Sequence, residues 1–251
     1  MMALAAREIR VAKAIVFALA LEPLARLAAG AFFFPDSLGA NPAEFITRST
    51  GDWTLRFLLF TLAVTPLRRL SGWQWLARFR RLLGLYAFFY GVVHFSSYVA
   101  FDNLFDVGDI LKDIVKRPFI TVGFTALALL LPLAVTSTNA MVKRLGGERW
   151  AKLHRLVYGI APLGVLHYWW MVKRDITEPA IYAAILAVLL GYRVVAKRRA
   201  RAPPGAAAAR AAAERVAATP SPTAPQPPAR AAIAGALTTA AAVRSTDRSP
   251  A

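Results

Sequence analysis

Long apolar runs alternate along this chain with short stretches rich in charge, glycine and proline. Six runs stand out, at residues 14–34, 53–67, 82–101, 119–137, 151–171 and 180–196. The third carries no charged side chain over about twenty residues, enough at ~1.5 Å of rise per residue to cross a ~30 Å hydrocarbon core. The first is interrupted by Glu22, Pro23 and Arg26. An ion pair facing the bundle and a local kink or unwinding at Pro23 are expected there. The second run is short and ends in Arg68 and Arg69, which can snorkel. Residues 35–53, PDSLGANPAEFITRSTGDW, carry turn chemistry and are expected to form a loop. FDNLFDVGDILKDIVKRP, residues 101–118, predicts a short helix lying on the surface, with Phe105, Ile110, Ile114 and Val115 as its apolar positions.

The pattern predicts an all-α fold, a polytopic membrane helix bundle with six transmembrane helices. Basic residues give it an orientation. Arg7, Arg10 and Lys13, the five arginines at 68, 69, 78, 80 and 81, then Lys143, Arg144, Arg149 and Lys152, then Lys197, Arg198, Arg199 and Arg201 lie on one side. The alternate loops hold only Arg48, Lys112, Lys116, Arg117, Lys173 and Arg174. That bias places both termini in the cytoplasm. The N-terminal run is expected to be an uncleaved first span rather than a signal peptide. Trp73 and Trp75 suit an interface belt. Residues 1–199 are expected to be the membrane domain, and residues 200–251, rich in Ala, Pro and Arg, a disordered tail.

Composition narrows the chemistry. A formal charge of +17 would suggest nucleic acid in a soluble protein, but 57% hydrophobic residues make this a membrane chain whose cations follow topology. The tail lacks the interleaved aromatics that stack on bases, so no nucleic-acid partner is expected. Without cysteine there can be no thiolate heme ligand, iron–sulfur cluster or disulfide. A redox centre must therefore use histidine or an organic cofactor.

The chain has three histidines, His94, His154 and His167, and each falls in or at the edge of an apolar run. A membrane imidazole needs a partner and marks a functional site. In the six-span topology the third and fifth runs are parallel. By helical rise His94 lies roughly 4 Å and His167 roughly 9 Å outward of their midpoints, at nearly the same depth, while His154 is about 10 Å inward. His94 and His167 could grip one heme iron, and two imidazoles leave no open position, which favours electron transfer. His154 belongs to a different site. Packing histidines, and a transporter whose histidines titrate as a proton relay, are the alternatives.

RRLLGLYAFFYGVVHFSSY, KRPFITVGFTALALLLPLAVTST and RLGGERWAKLHRLVYGIAPLGVLHYWWMVK, with LGANPAEFITRSTGDW, resemble the MsrQ (YedZ) family, relatives of the ferric-reductase transmembrane domain. The resemblance implies a multi-pass protein of the bacterial inner membrane that binds heme b, with FMN. Such a subunit passes electrons from the quinol pool, or from a cytosolic flavin reductase, to a periplasmic molybdopterin methionine-sulfoxide reductase. It is an electron-transfer subunit, not the catalytic one. The family's heme histidines fall on His94, His154 and His167. Arg80 and Arg81 stand where ferric reductases carry another histidine, so a second bis-histidine heme lacks a ligand. Arg78, Arg80, Arg81, Lys152 and Arg155 are the basic candidates for a flavin phosphate. A metal reductase acting alone is the other redox alternative, and residues 36–52 and 102–117 are expected to dock the partner.

Overall fold

A computed structural model describes residues 5–172, 174–201 and 214, all helix and connecting turn. The segment expected to be a disordered tail lies outside the described residues apart from Ala200, Arg201 and Glu214. Among them the helices are α1 (Ala6–Phe33), α2 (Pro42–Ser71), α3 (Arg80–Ser97), α4 (Val107–Lys116), α5 (Pro118–Val135), α6 (Asn139–Leu145), α7 (Gly147–Leu153), α8 (Val157–Met171) and α9 (Thr177–Arg201). Four of the described helices are long and apolar enough to cross a membrane: α1, α3 with its flanking turns (Gln74–Asp102), α5 and α9. The other two expected spans differ for separate reasons. Helix α2 is long, but Glu44, Arg48, Asp52, Arg56, Arg68 and Arg69 lie along it. Helix α8 has 15 residues, about 22 Å of rise.

Helix α2 starts well before the apolar run, so residues 42–52, expected to be loop, are helical. Pro42 sits in the first turn, where its missing N–H costs nothing, and the Asn41 side chain accepts from the Glu44 N–H at 3.2 Å. Asn41 Nδ2 donates back to Glu44, and Arg48 closes a 2.7 Å pair with Glu44 one turn on. Turn-forming residues are thus spent on a cap.

Helix α1 keeps Pro23 inside a continuous helix. The Tyr90 hydroxyl of α3 stands in its ladder, accepting from Leu24 N–H at 3.3 Å and donating to the Ala20 carbonyl at 2.8 Å. Pro23 has no N–H to give its own helix, and a side chain inserted in the ladder beside it is a recognised companion of a helix bend. Tyr86 donates to the Phe17 carbonyl at 2.8 Å in the same manner. The Glu22–Arg26 pair does form, at 3.4 Å, but its side chains are 50% and 79% exposed. It faces away from the bundle, because the buried stripe of α1 runs through Ala20, Pro23, Leu27 and Gly30.

The core lies where α2, α3, α5 and α8 meet, around the fully buried Leu62, Tyr90 and Ile160. Helix α9 is tied on by Arg193, which donates to the Tyr158 hydroxyl at 2.8 Å and to the Leu62 carbonyl. Helix α3 ends in a π-turn, Tyr98–Asp102, and the chain then passes through Leu104 and Phe105 at φ 44° and 66°. Such angles are uncommon for side chains of this size. Asp106 caps the short α4 by accepting from Asp109 N–H at 3.0 Å, so the expected surface helix forms at Val107–Lys116.

Candidate heme-binding cavity

Four helices of the core separate to leave a cavity of about 870 Å³. Pockets of ~300–1,000 Å³ commonly hold a whole cofactor. Its walls come from α2, α3, α5 and α8, and glycines stand on each: Gly51, Gly91, Gly123 and Gly164. Glycine inside an apolar helix costs about 1 kcal/mol against alanine. Here two of the four leave room for imidazole. A β-carbon on Gly51 would sit 3.0 Å from Cε1 of His94, and one on Gly123 would sit 2.6 Å from Nδ1 of His167.

His94 from α3 and His167 from α8 both line the cavity, with ring centroids 6.1 Å apart and planes at 76°. His94 Nδ1 lies 2.8 Å from the Thr47 carbonyl oxygen, and His167 Nδ1 lies 2.7 Å from that of Phe119. A carbonyl can only accept, so each Nδ1 must carry the proton and donate. Neutral imidazole then has its lone pair on Nε2, the arrangement by which ligating histidines are oriented. The centroid separation suits two imidazoles with one iron between them, at metal–nitrogen bonds of about 2 Å. The donor set, the volume and the glycine clearances together fit a porphyrin.

The cavity's rim is polar, with Arg48, Asp102, Lys112, Lys116 and Arg117 along it. Arg48, Lys112 and Arg117 are engaged by Glu44, Asp109 and Asp113 at 2.7, 3.6 and 3.1 Å. Lys116 pairs with no carboxylate among the described residues. Asn103 Nδ2 is buried here with no hydrogen-bond partner. An unpaired buried donor costs about 1–3 kcal/mol unless a ligand accepts from it.

His154 is elsewhere. It begins the 3-10 turn His154–Leu156 ahead of α8, which removes it from that helix's register. Its Nε2 lies 3.1 Å from Thr136 Oγ1, and its ring stacks on Trp150 at 4.0 Å. Trp150 Nε1 in turn donates to the Thr136 carbonyl at 2.9 Å. Arg81 donates to Asn139 Oδ1 at 2.5 Å. Arg155 is exposed and Arg80 half-buried, and neither lines the histidine cavity. Sequence reading thus brings His94 and His167 together and sets His154 apart, as the structure does. It missed Thr47, Phe119, Asn103 and the glycines; isolated glycines within apolar helices were the available signal.

Residues 50–165 match the family model described as ferric reductase like transmembrane component. Among curated proteins, the protein-methionine-sulfoxide reductase heme-binding subunit MsrQ of Herminiimonas arsenicoxydans is 64% identical over 184 residues, 72% of this chain and 84% of that one. The protein of the same description from Ralstonia nicotianae is 58% identical over 75% of this chain and 87% of its own length. That of Azospira oryzae is 54% identical over 78% and 84%.

Proposed function

The chain belongs to the family of heme-binding subunits of protein-methionine-sulfoxide reductase, MsrQ, and on that premise we propose that His94 and His167 ligate a heme b through Nε2. The observation that carries this is the pair of rings 6.1 Å apart in one cavity, each with Nδ1 committed to a backbone carbonyl. Heme would supply a one-electron carrier, and ligation by both His94 and His167 would suit it to electron transfer rather than to oxygen chemistry.

The protein's own residues hold that carrier in place. Thr47 and Phe119 fix ring orientation and tautomer. Leu55, Leu58, Leu127, Leu130 and Ile160 exclude water from the cavity walls. Asn103, whose Nδ2 has no hydrogen-bond partner among the described residues, and Lys116, which pairs with no carboxylate among them, would receive the carboxylate edge of the porphyrin.

The membrane reading is of six crossings, with α2 and α8 passing inside the four more apolar helices and both termini in the cytoplasm. The basic bias between alternate loops supports that orientation in the inner membrane. The histidine cavity then opens outward, and α4 with the preceding residues 102–106 forms the surface nearest to it. Leu104, Phe105, Val107, Leu111 and Val115 are exposed there, which suits contact with a periplasmic molybdopterin reductase subunit. His154, stacked on Trp150 at the opposite end of α8, stands where electrons would arrive from the quinol pool or from FMN.

The test is a redox-difference spectrum with heme quantitation on the purified protein and on His94→Ala and His167→Ala. Each variant is expected to lose the reducible low-spin Soret signal. Full heme content in both would refute the assignment.

A further inference from the structure

A second cavity, of about 680 Å³, lies away from the histidines, between α1, the 3-10 turn Gln74–Arg78 and the start of α3. Three cations converge on it from these three elements: Lys13, Arg78 and Arg81. Among the described residues none of them pairs with a carboxylate. The rest of the lining is mostly hydrocarbon, including Phe17, Leu82 and Leu85. Phe17 is held by Tyr86, whose hydroxyl donates to the Phe17 carbonyl and whose ring meets that of Phe17 edge-on at 5.6 Å. Trp73 just before the turn that supplies Arg78 and Trp75 within it stack at 5.7 Å. Paired tryptophans of this kind mark headgroup level.

We propose that this crevice binds one anionic phospholipid, its phosphate among Lys13, Arg78 and Arg81 and its acyl chain along Phe17, Leu82 and Leu85. Charge complementarity and depth both favour that occupant, since basic pockets between membrane helices recognise anionic headgroups. A soluble phosphate ester would satisfy the cations equally. It would leave Phe17, 51% exposed, and Leu85, 38% exposed, without the hydrocarbon that a lipid brings. The bound lipid would fasten α1 to α3 at the end of the helix remote from the Tyr90 contact. This site is independent of the heme assignment.

The experiment is native mass spectrometry on full-length protein released from nanodiscs of phosphatidylglycerol or of phosphatidylcholine. One tightly retained phosphatidylglycerol is expected, with no matching phosphatidylcholine adduct. A Lys or Arg close to an anionic surface strengthens binding about fivefold, so Arg78→Gln with Arg81→Gln should weaken retention about twenty-five-fold. The charge-preserving pair Arg78→Lys with Arg81→Lys should retain the lipid. Equal retention of both lipids overturns the proposal, as does unchanged retention in the Gln pair. Loss in the Lys pair as complete as in the Gln pair would show disturbed packing instead of phosphate recognition, and also overturns it. Displacement of phosphatidylglycerol by micromolar FMN would assign the cations to a soluble phosphate and reject the lipid.

Discussion

Gly123 on α5 and His167 on α8 approach so closely that a single added methyl group would stand 2.6 Å from the imidazole Nδ1. That nitrogen is already held by the Phe119 carbonyl on the same helix as Gly123. The ring therefore cannot yield without surrendering its orienting bond. Gly123→Ala is expected to strip heme from the protein almost as completely as loss of the ligand itself, with overpacking strain of about 1–3 kcal/mol. Gly51→Ala, whose β-carbon would lie 3.0 Å from His94, should retain part of the heme. Gly164→Ala meets Leu55 at an ordinary 3.5 Å and should retain nearly all. Heme per protein by pyridine hemochrome checks the order.

His154 is expected to behave unlike the other two histidines. Its partners are Thr136 and Trp150, so His154→Ala should leave the low-spin spectrum in place while slowing reduction by quinol. Stopped-flow reduction followed at the Soret band separates the effects. A spectrum lost in all three variants would put His154 at a heme as well.

Removing a cation or a donor beside a redox centre favours its oxidised, more positive state. Lys116→Gln should lower the heme midpoint potential without removing the heme. Asn103→Ala should mainly weaken heme retention, because it deletes a buried donor rather than a charge. Potentiometric titration and heme-transfer kinetics read the two separately.

Tyr90→Phe keeps the ring, which stacks on Phe57 at 5.4 Å, and deletes only the hydroxyl. Leu24 N–H and the Ala20 carbonyl then lose a partner in a buried setting. A destabilisation of about 1–3 kcal/mol is expected, measured as a lower thermal midpoint in detergent.

The Thr177 hydroxyl, together with the Thr177 N–H from which Asp175 accepts at 2.9 Å at the start of α9, holds the Asp175 carboxyl below the usual range. A depressed carboxylate contributes above its unfolded pKa, and the contribution fades as pH falls through the folded value. The protection factors for amide exchange at the first turn of α9, with the intrinsic pH dependence divided out, should accordingly fall in acid. Asp175→Asn should remove that pH dependence.

The meeting of His94 and His167 in one cavity was legible because a six-span reading of the basic bias makes the third and fifth runs parallel, and helical rise then gives the two rings similar depths. Azimuth was not legible. Counting 100° per residue from His154 to His167 presumes one unbroken helix, and the 3-10 turn at His154–Leu156 breaks that count. Residues 42–52 misled for another reason: Asn41, Pro42 and Glu44 are loop residues by composition but a cap by spacing. The ion pair of Glu22 and Arg26 was correctly matched yet turned the wrong way, since nothing local says which face of α1 meets α3. The cavity itself came from glycines that no periodicity distinguishes.

The Tyr90 hydroxyl reaches back 66 and 70 positions to Leu24 and Ala20, so the contact joins the earliest-made helix to one synthesised much later. Whatever register α1 holds against its neighbours before then, this latch can close only once α3 exists, which ties the final seating of the first helix to the order of manufacture.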